Sequence, residues 1–285
     1  MLTEAQRERI AVVLVSPRNP LNIGAAARAM ANFGFRQLAV AAPYEEHWRE
    51  AKSAVGAPEL LRDARQTASL EEAAADCTLV VGTGSLSRRK PEQPAVSLPE
   101  LPPLVRREIE RGGRVALVFG SEKRGLTRED LSYCQLLVEI PTDPRQPSMN
   151  LGQAVAVCLY ELASCHNGPG FDEPREESPT PDADPLAPAD LSQQAQALTR
   201  LKPRDLSPPA SGRDLERLAA VVEETMLAAN YSPPPMRQAN RLDLRLLLRK
   251  LALTQRDTRR ILGLFRRILW RLKHRSSGTK KSRRP

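Results

Sequence analysis

The sequence predicts an α/β fold built on a mostly parallel sheet, and three observations predict it. Up to about residue 165, short runs of Val, Leu, Ile and Ala alternate with helical patterns. The runs are continuously apolar, as strands buried on both faces are. The segments between them carry helix starts and stops in regular succession.

The first strand is "IAVVLV" (10–15), and "NIGAAARAMANFG" follows as a helix with Ile23, Ala26, Ala27 and Met30 on one face. Gly34 is placed to close that helix in a left-handed conformation. Then come the strand "QLAVAA" (37–42), the helical "LEEAAAD", the strand "CTLVVG" (77–82), the helical "LPPLVRREIERGG" and the strand "RVALVF" (114–119). "LTREDLSYC" opens on Thr127 and Asp130, the spacing of a capping box with Asp in place of Glu. A fifth strand, "QLLVEI" (135–140), runs into "PTDPRQPSMN", which cannot continue it because proline lacks a ladder donor. Asn150 then caps a helix with Leu151, Ala154, Val155, Cys158 and Leu162 on its apolar stripe.

Beyond this α/β domain (1–165), residues 166–211 read as an acidic, Pro-rich flexible linker with too little apolar area to order itself. A basic helical extension (212–274) follows, in which "RDLERLAAVVEETMLAAN", a "YSPPPM" break, "RLDLRLLLRKLAL" and "QRDTRRILGLFRRILWRLKH" succeed one another. Leu246, Leu247, Leu262, Phe265 and Leu269 are its expected packing residues. The last residues (275–285) read as a disordered basic tail.

Charge is divided sharply. Residues 236–285 hold 17 Lys and Arg against two Asp, a surplus of 15 in a chain whose net charge is +9, so residues 1–235 sum to −6. Such a concentration suits phosphate-backbone contact or an anionic membrane surface. The tail lacks the Trp- and Phe-rich apolar face that the membrane alternative favours. No run of 18 apolar residues occurs, and the N-terminus "MLTEAQRERI" is charged where a signal peptide is apolar, so a soluble, cytoplasmic protein is expected. Cys77, Cys134, Cys158 and Cys165 form no CxxC pair and have three histidines for company; reduced core thiols are expected, with no metal site.

Three segments sit where an open α/β sheet binds ligands, outside the carboxyl ends of its strands. "VSPRNPLNIGAAARAM" carries Asn22, Gly24 and Arg28; "VFGSEKRGL" carries Gly120, Glu122 and Gly125; the last carries Ser148, Met149 and Asn150. Singly, each has an ordinary reading as a cap, a loop charge or a solvated arginine. "GTGSLS" after the third run lacks the last glycine of GxGxxG, and no GxxxxGK[ST] occurs, which disfavours a dinucleotide site and a P-loop.

Taken together, "NIGAAAR", "VFGSEKRGL" and "IPTDPRQPSMNLGQAVAVCLYE", in this order and separation, resemble the three signature motifs of the SPOUT methyltransferases. Within them they are similar to the SpoU/TrmH class, which methylates the ribose 2′-hydroxyl of RNA. The resemblance covers residues 10–165, and the helices from about 213 to 273 resemble the C-terminal extension of TrmJ-like tRNA methyltransferases. Met149 stands where leucine is commoner and Gly152 where alanine is commoner; neither removes a polar group.

The resemblance implies a SPOUT-type sheet whose C-terminal part is threaded into a trefoil knot that holds S-adenosylmethionine, in a homodimer with its site at the subunit interface. It implies a cofactor site lined by Thr83, Gly84, Ser85, Gly120, Ile140, Pro147, Ser148 and Met149, with Gly120 small so that backbone can approach the ligand. It casts Arg28 as the principal catalytic group, oriented with the ribose by Asn22, Glu122, Ser148 and Asn150. A guanidinium with a pKa of about 12 or more is a poor base, so the alternative of a bidentate phosphate clamp and alkoxide stabiliser stays open. Arg237, Arg241, Arg245, Arg249, Lys250, Arg259, Arg260, Arg266 and Arg267 are the expected RNA contacts, since a one-signed face repels itself unless a polyanion neutralises it. The substrate implied is tRNA at the first nucleotide of the anticodon loop, a cytidine or uridine. Ribosomal RNA, another tRNA site, or a non-catalytic RNA-binding or ribosome-assembly role are the alternatives.

Overall fold

The computed structural model describes residues 2–84, 91–164 and 207–278. Its sheet contains β1 (Ile10–Val15), β2 (Gln37–Ala41), β3 (Arg65–Thr67), β4 (Leu79–Thr83), β5 (Ala95–Ser97), β6 (Val115–Phe119) and β7 (Leu136–Glu139). Every neighbouring pair is parallel, in the order β3-β2-β1-β6-β4-β7-β5. The five expected strands are all present. The two edge strands, β3 and β5, were not expected, because three residues are too few to show a period.

Seven helices accompany the sheet: α1 (Glu4–Arg7), α2 (Pro20–Asn32), α3 (Pro58–Asp63), α4 (Leu70–Ala73), α5 (Leu101–Glu110), α6 (Arg128–Ser132) and α7 (Leu151–Ser164). Alternation along each strand divides the core in two. Ile10, Val12 and Leu14 face α2, α5 and α7, while Val13 and Val15 face α4 and the Tyr133–Cys134 corner after α6. That two-sided burial is why the strands read as unbroken apolar runs, each buried Val, Leu or Ile contributing about 1.5–3 kcal/mol. Gly34 closes α2 with φ +74°, and Thr127 and Asp130 form the expected capping box. Helices α2 and α7 pack closely: a methyl group on Gly152 would lie 2.7 Å from Ala25 Cβ, which accounts for a glycine inside a helix.

The C-terminal helices are α8 (Gly212–Ala228), α9 (Arg237–Lys250) and α10 (Gln255–Gly278). Leu218, Ala219, Val222 and Leu248 form their core, with Ile261, Leu262 and Phe265 packed against it. Four sequence expectations need correction here. Residues 207–211 are not linker: Ala210 is buried, donates to the Leu253 carbonyl at 2.9 Å, and Ser211 caps α8 in a capping box with Asp214. Helix α10 runs to Gly278, into the stretch read as a tail. Leu247 faces solvent, while Leu246 and Leu269 are buried.

Arg245 and Arg249 are buried, 1% and 6% exposed, and so are not surface contacts for RNA. Arg245 Nε and Arg249 Nη2 each reach a Glu216 carboxylate oxygen at 3.0 Å. Arg249 Nε donates to the Tyr133 carbonyl at 2.9 Å, and the Arg245 guanidinium lies 4.3 Å from the centre of the Tyr133 ring. The two arginines therefore fasten α9 to the corner after α6. Backbone bonds from Gly212 to Cys77 and from Arg213 to Ala75 fasten the start of α8 nearby. No described helix is long and apolar enough to cross a membrane.

Candidate active site

The strand order decides which loops meet. Because β6 lies between β1 and β4, and β7 lies beyond β4, the carboxyl ends of four parallel neighbours stand in a row. The segments that follow β1, β6 and β7 carry Asn22, in the first turn of α2, Glu122 and Ser148–Asn150, and β4 ends at Thr83–Gly84. These are the motif segments of the sequence, separated by up to 128 residues and brought together by topology.

One hydrogen-bonded chain links three of them. Glu122 is its centre: Oε2 accepts from the Arg18 backbone at 2.9 Å, and Oε1 accepts from the Asn19 backbone at 3.1 Å and from Asn22 Nδ2 at 2.9 Å. Asn150 Nδ2 donates to Asn22 Oδ1 at 2.9 Å, and Asn150 Oδ1 accepts from the Gly152 backbone at 2.9 Å. Asn150 thus caps α7 and ties it to α2 with the same amide. Desolvation pushes the Glu122 carboxyl up, but the bonds from Asn22, Arg18 and Asn19 outweigh it and hold the group below its ordinary value. A carboxylate so fully engaged orients its neighbours and is poorly suited to accept a proton.

Arg28 is exposed on α2, ~9 Å along the helix axis from Asn22, and the described hydrogen bonds do not join it to Glu122. Ser148 and Met149 are exposed in the loop that enters α7, Pro147 and Ile140 are half-buried, and the Pro147 carbonyl faces Thr142 Oγ1 at 3.5 Å. Thr83 turns its hydroxyl inward to donate to the Val118 carbonyl at 3.0 Å, and Gly84 is exposed, with no described residue within 4 Å of where a Cβ would stand. Ser85 lies outside the described residues. Gly120 has no room for a side chain: a Cβ there would collide with the backbone of Gly125 and Leu126, where the 121–125 loop folds back in a bridge. That fold is what turns Glu122 toward β1.

Sequence reasoning missed the Arg18 and Asn19 backbone amides. A signal was available, since Asn19 followed by Pro20 is an N-cap and first-turn pair that fixes the loop, and Asn19 Oδ1 does accept from the Leu21 backbone at 3.0 Å. The cysteines play no part. Cys77, Cys134 and Cys158 are buried free thiols that desolvation pushes up to about 11, about 12 and about 12, so they are inert at neutral pH. Cys165 lies outside the described residues.

This arrangement of sheet and site defines a class, and comparison with known proteins agrees with it. Residues 9–160 match the model of the SpoU rRNA Methylase family, and the chain belongs to that family. It is 44% identical over 156 residues to the tRNA (cytidine/uridine/adenosine-2′-O-)-methyltransferase TrmJ of Pseudomonas aeruginosa, a match covering 54% of this chain and 60% of that protein. It is 37% identical over 183 residues to the tRNA (cytidine/uridine-2′-O-)-methyltransferase TrmJ of Pectobacterium atrosepticum, covering 63% of this chain and 75% of that one. The crystal structure of TrmJ from Z. mobilis ZM4 superposes with a TM-score of 0.71 at 26% identity, covering 90% of this chain and 98% of that chain.

Proposed function

We propose that the chain transfers the methyl group of S-adenosylmethionine to a ribose 2′-hydroxyl of RNA, with tRNA as substrate and the first nucleotide of the anticodon loop, a cytidine or uridine, as target. The observation that carries this reading is the Glu122–Asn22–Asn150 chain, which unites three separate segments at the carboxyl end of the sheet. The names of the Pseudomonas and Pectobacterium relatives support the 2′-O and tRNA assignments. The family description names rRNA, which keeps ribosomal RNA as the second substrate to test.

The residues present fit the cofactor. Gly84 has no described residue within 4 Å of its Cβ position beside the β4 terminus, and the exposed residues Ser148 and Met149 offer backbone donors and acceptors from the β7 side. Thr83, Gly84, Ser85, Ile140 and Pro147 to Met149 would hold it, with Gly120 shaping the loop between. The sulfonium supplies an electrophilic methyl, so the chain's own task is to position and to stabilise charge. Arg28 would hold the neighbouring phosphate and stabilise the oxyanion that develops as the 2′-oxygen takes the methyl and loses its proton. Asn22 and Asn150, fixed by Glu122, would hold the ribose and the two helix entries in register.

The trefoil knot belongs to this reading; β6 inserting between β1 and β4 supports it. So does a homodimer, supported by Leu21, Met149, Val157 and Tyr160, which leave apolar surface exposed on the α2–α7 side. Arg28 faces solvent on the same helix as Leu21, where a partner's site would meet it. In the extension, Arg237, Arg241, Lys250, Arg259, Arg260, Arg266 and Arg267 are exposed and remain the proposed RNA contacts. A tRNA-modifying role places the protein in the cytoplasm.

The test is methyl transfer from labelled S-adenosylmethionine to bulk tRNA and, separately, to rRNA, followed by nuclease digestion and mass spectrometry. The expected product is a 2′-O-methylated pyrimidine at the start of the anticodon loop. Label in rRNA, or elsewhere in tRNA, would replace the substrate and keep the chemistry. Label on a base, or none in either pool, would overturn the reading.

A further inference from the structure

Beside the Glu122 centre stands an aromatic ring that neither packing nor the reaction outlined above uses. Tyr44 is 66% exposed. Its backbone N–H donates to the Pro17 carbonyl at 3.1 Å, and the Arg18 guanidinium lies over its ring, 4.7 Å from the centre. Arg18 is the residue whose own backbone N–H binds Glu122. Ring, guanidinium and site loop are therefore one connected unit.

The backbone aims this unit deliberately. Ser16 and Ala42, just past the carboxyl ends of the adjacent strands β1 and β2, are both left-handed, with φ +48° and +47°. Non-glycine residues seldom adopt this conformation, and such outliers concentrate at binding sites. They are fixed by bonds from Ser16 to the Ala41 carbonyl and from Ala42 to the Thr67 carbonyl. The two kinks bring the β1 and β2 loops together so that Pro17, Arg18 and Tyr44 meet on the rim of the site.

We propose that the Arg18–Tyr44 pair is a stacking subsite for a nucleobase of the RNA substrate, one flanking the nucleotide that is methylated. This rests on the RNA methyltransferase reading above. An exposed ring with a cation on one face offers its other face to a planar π-system, the way unpaired bases are held by proteins. The neighbours choose between base and backbone: Glu45 and Glu46, both exposed beside Tyr44, repel a phosphate and leave a neutral base unaffected. Stacking on Arg18 pre-sets the ring, which lowers the entropy lost when the base arrives. The subsite favours an unstacked, single-stranded residue, as a tRNA loop presents and a duplex does not.

The experiment uses the full chain with unfractionated tRNA for kinetics, and an anticodon stem-loop carrying 2-aminopurine next to the target for fluorescence. Tyr44→Ala should raise KM for tRNA about 5- to 100-fold, the range typical of one lost base stack, with kcat at saturating tRNA within about twofold. It should also abolish the quenching of 2-aminopurine that the wild type produces. Tyr44→Phe keeps the ring and should restore both, whereas Tyr44→Leu, of similar bulk without π-character, should not. Equal KM and equal quenching for wild type and Tyr44→Ala would overturn the subsite while the wild type's methyl transfer upholds the function. Absence of transfer to any RNA by the wild type would overturn the function and the subsite with it.

Discussion

Helix α9 carries Arg237, Arg241, Arg245 and Arg249 at steps of four, and α10 carries Arg259, Arg260, Arg266 and Arg267; as sequence, both offer a basic face. In the fold their arginines divide. Those of α10 are all exposed, while the last two of the α9 series are buried against Glu216 and Tyr133. The cause is helical geometry. A step of four residues overshoots a full turn by about 40°, so Arg249 points ~120° away from Arg237 and the stripe winds from solvent into the contact with the α/β part. Spacing alone therefore does not make a basic face, and part of the extension's charge is a fastener and not a surface for RNA.

The sharpest way to break this comparison is Glu216→Ala. It removes the counter-charge that two buried guanidinium groups share, leaving Arg245 its longer contacts to Glu71 at 3.6 Å and Glu129 at 3.9 Å, and removing one partner of such a cluster costs about 3–5 kcal/mol. Chemical denaturation should show a loss of that size; an unchanged midpoint would mean that the cluster does not hold α9 in place. The opposite behaviour is expected of α10. Replacing Arg259, Arg260, Arg266 and Arg267 together by Ala should leave stability nearly unchanged and flatten the salt dependence of tRNA binding. The logarithmic slope should fall by as much as ~3, at roughly 0.7–0.9 per lost phosphate contact. An unaltered slope would place the RNA elsewhere.

Within the α/β part, the corresponding contrast is between Gly120 and Gly84. Gly120→Ala should displace the 121–125 loop, lower the melting temperature and uncouple Glu122 from Asn22, because backbone already fills the Cβ position. Gly84→Ala meets none of the described residues and should leave melting unchanged while weakening S-adenosylmethionine binding, read by calorimetry. If both variants bind the cofactor like the wild type, the β4 terminus is not part of its site.

The smallest expected effect is that of pH on Glu122. Its folded carboxyl titrates below the unfolded value of about 4.3, so its contribution to stability is complete above that value and is lost as pH falls through the folded pKa. The stability difference between wild type and Glu122→Gln should therefore shrink as pH falls below the unfolded value. A difference that stays constant there would show that the carboxylate charge is not what the network uses.

Much of this molecule is legible in its residues, unevenly. The five long strands declare themselves because both faces of the sheet are covered, and Asn150, Thr127 and Gly34 declare helix ends because caps are local. The site is another matter. Asn22 in a first helical turn, Glu122 in a loop and Asn150 at a helix cap are ordinary residues until a strand order unstated in the sequence sets their segments side by side, and the motif resemblance singles them out. Glycines hide their neighbours in the same way: the sequence does not show that the backbone of Gly125 and Leu126 fills the space beside Gly120. Burial of Arg245 and Arg249 depends on Glu216, a distant residue on another helix, and no local pattern announces that partner.

In the proposed reaction Arg28 acts at the reacting ribose, beside a site whose cofactor is held by other residues. Single-turnover methyl transfer to tRNA by Arg28→Ala, measured alongside its calorimetric affinity for S-adenosylmethionine, tests that directly. The expected result is no detectable 2′-O-methyl product with cofactor affinity within about twofold of wild type, since in the proposed role Arg28 would act on the RNA and on charge that develops during transfer, not on the cofactor. Transfer at a rate near that of the wild type would contradict it and remove Arg28 from the reaction.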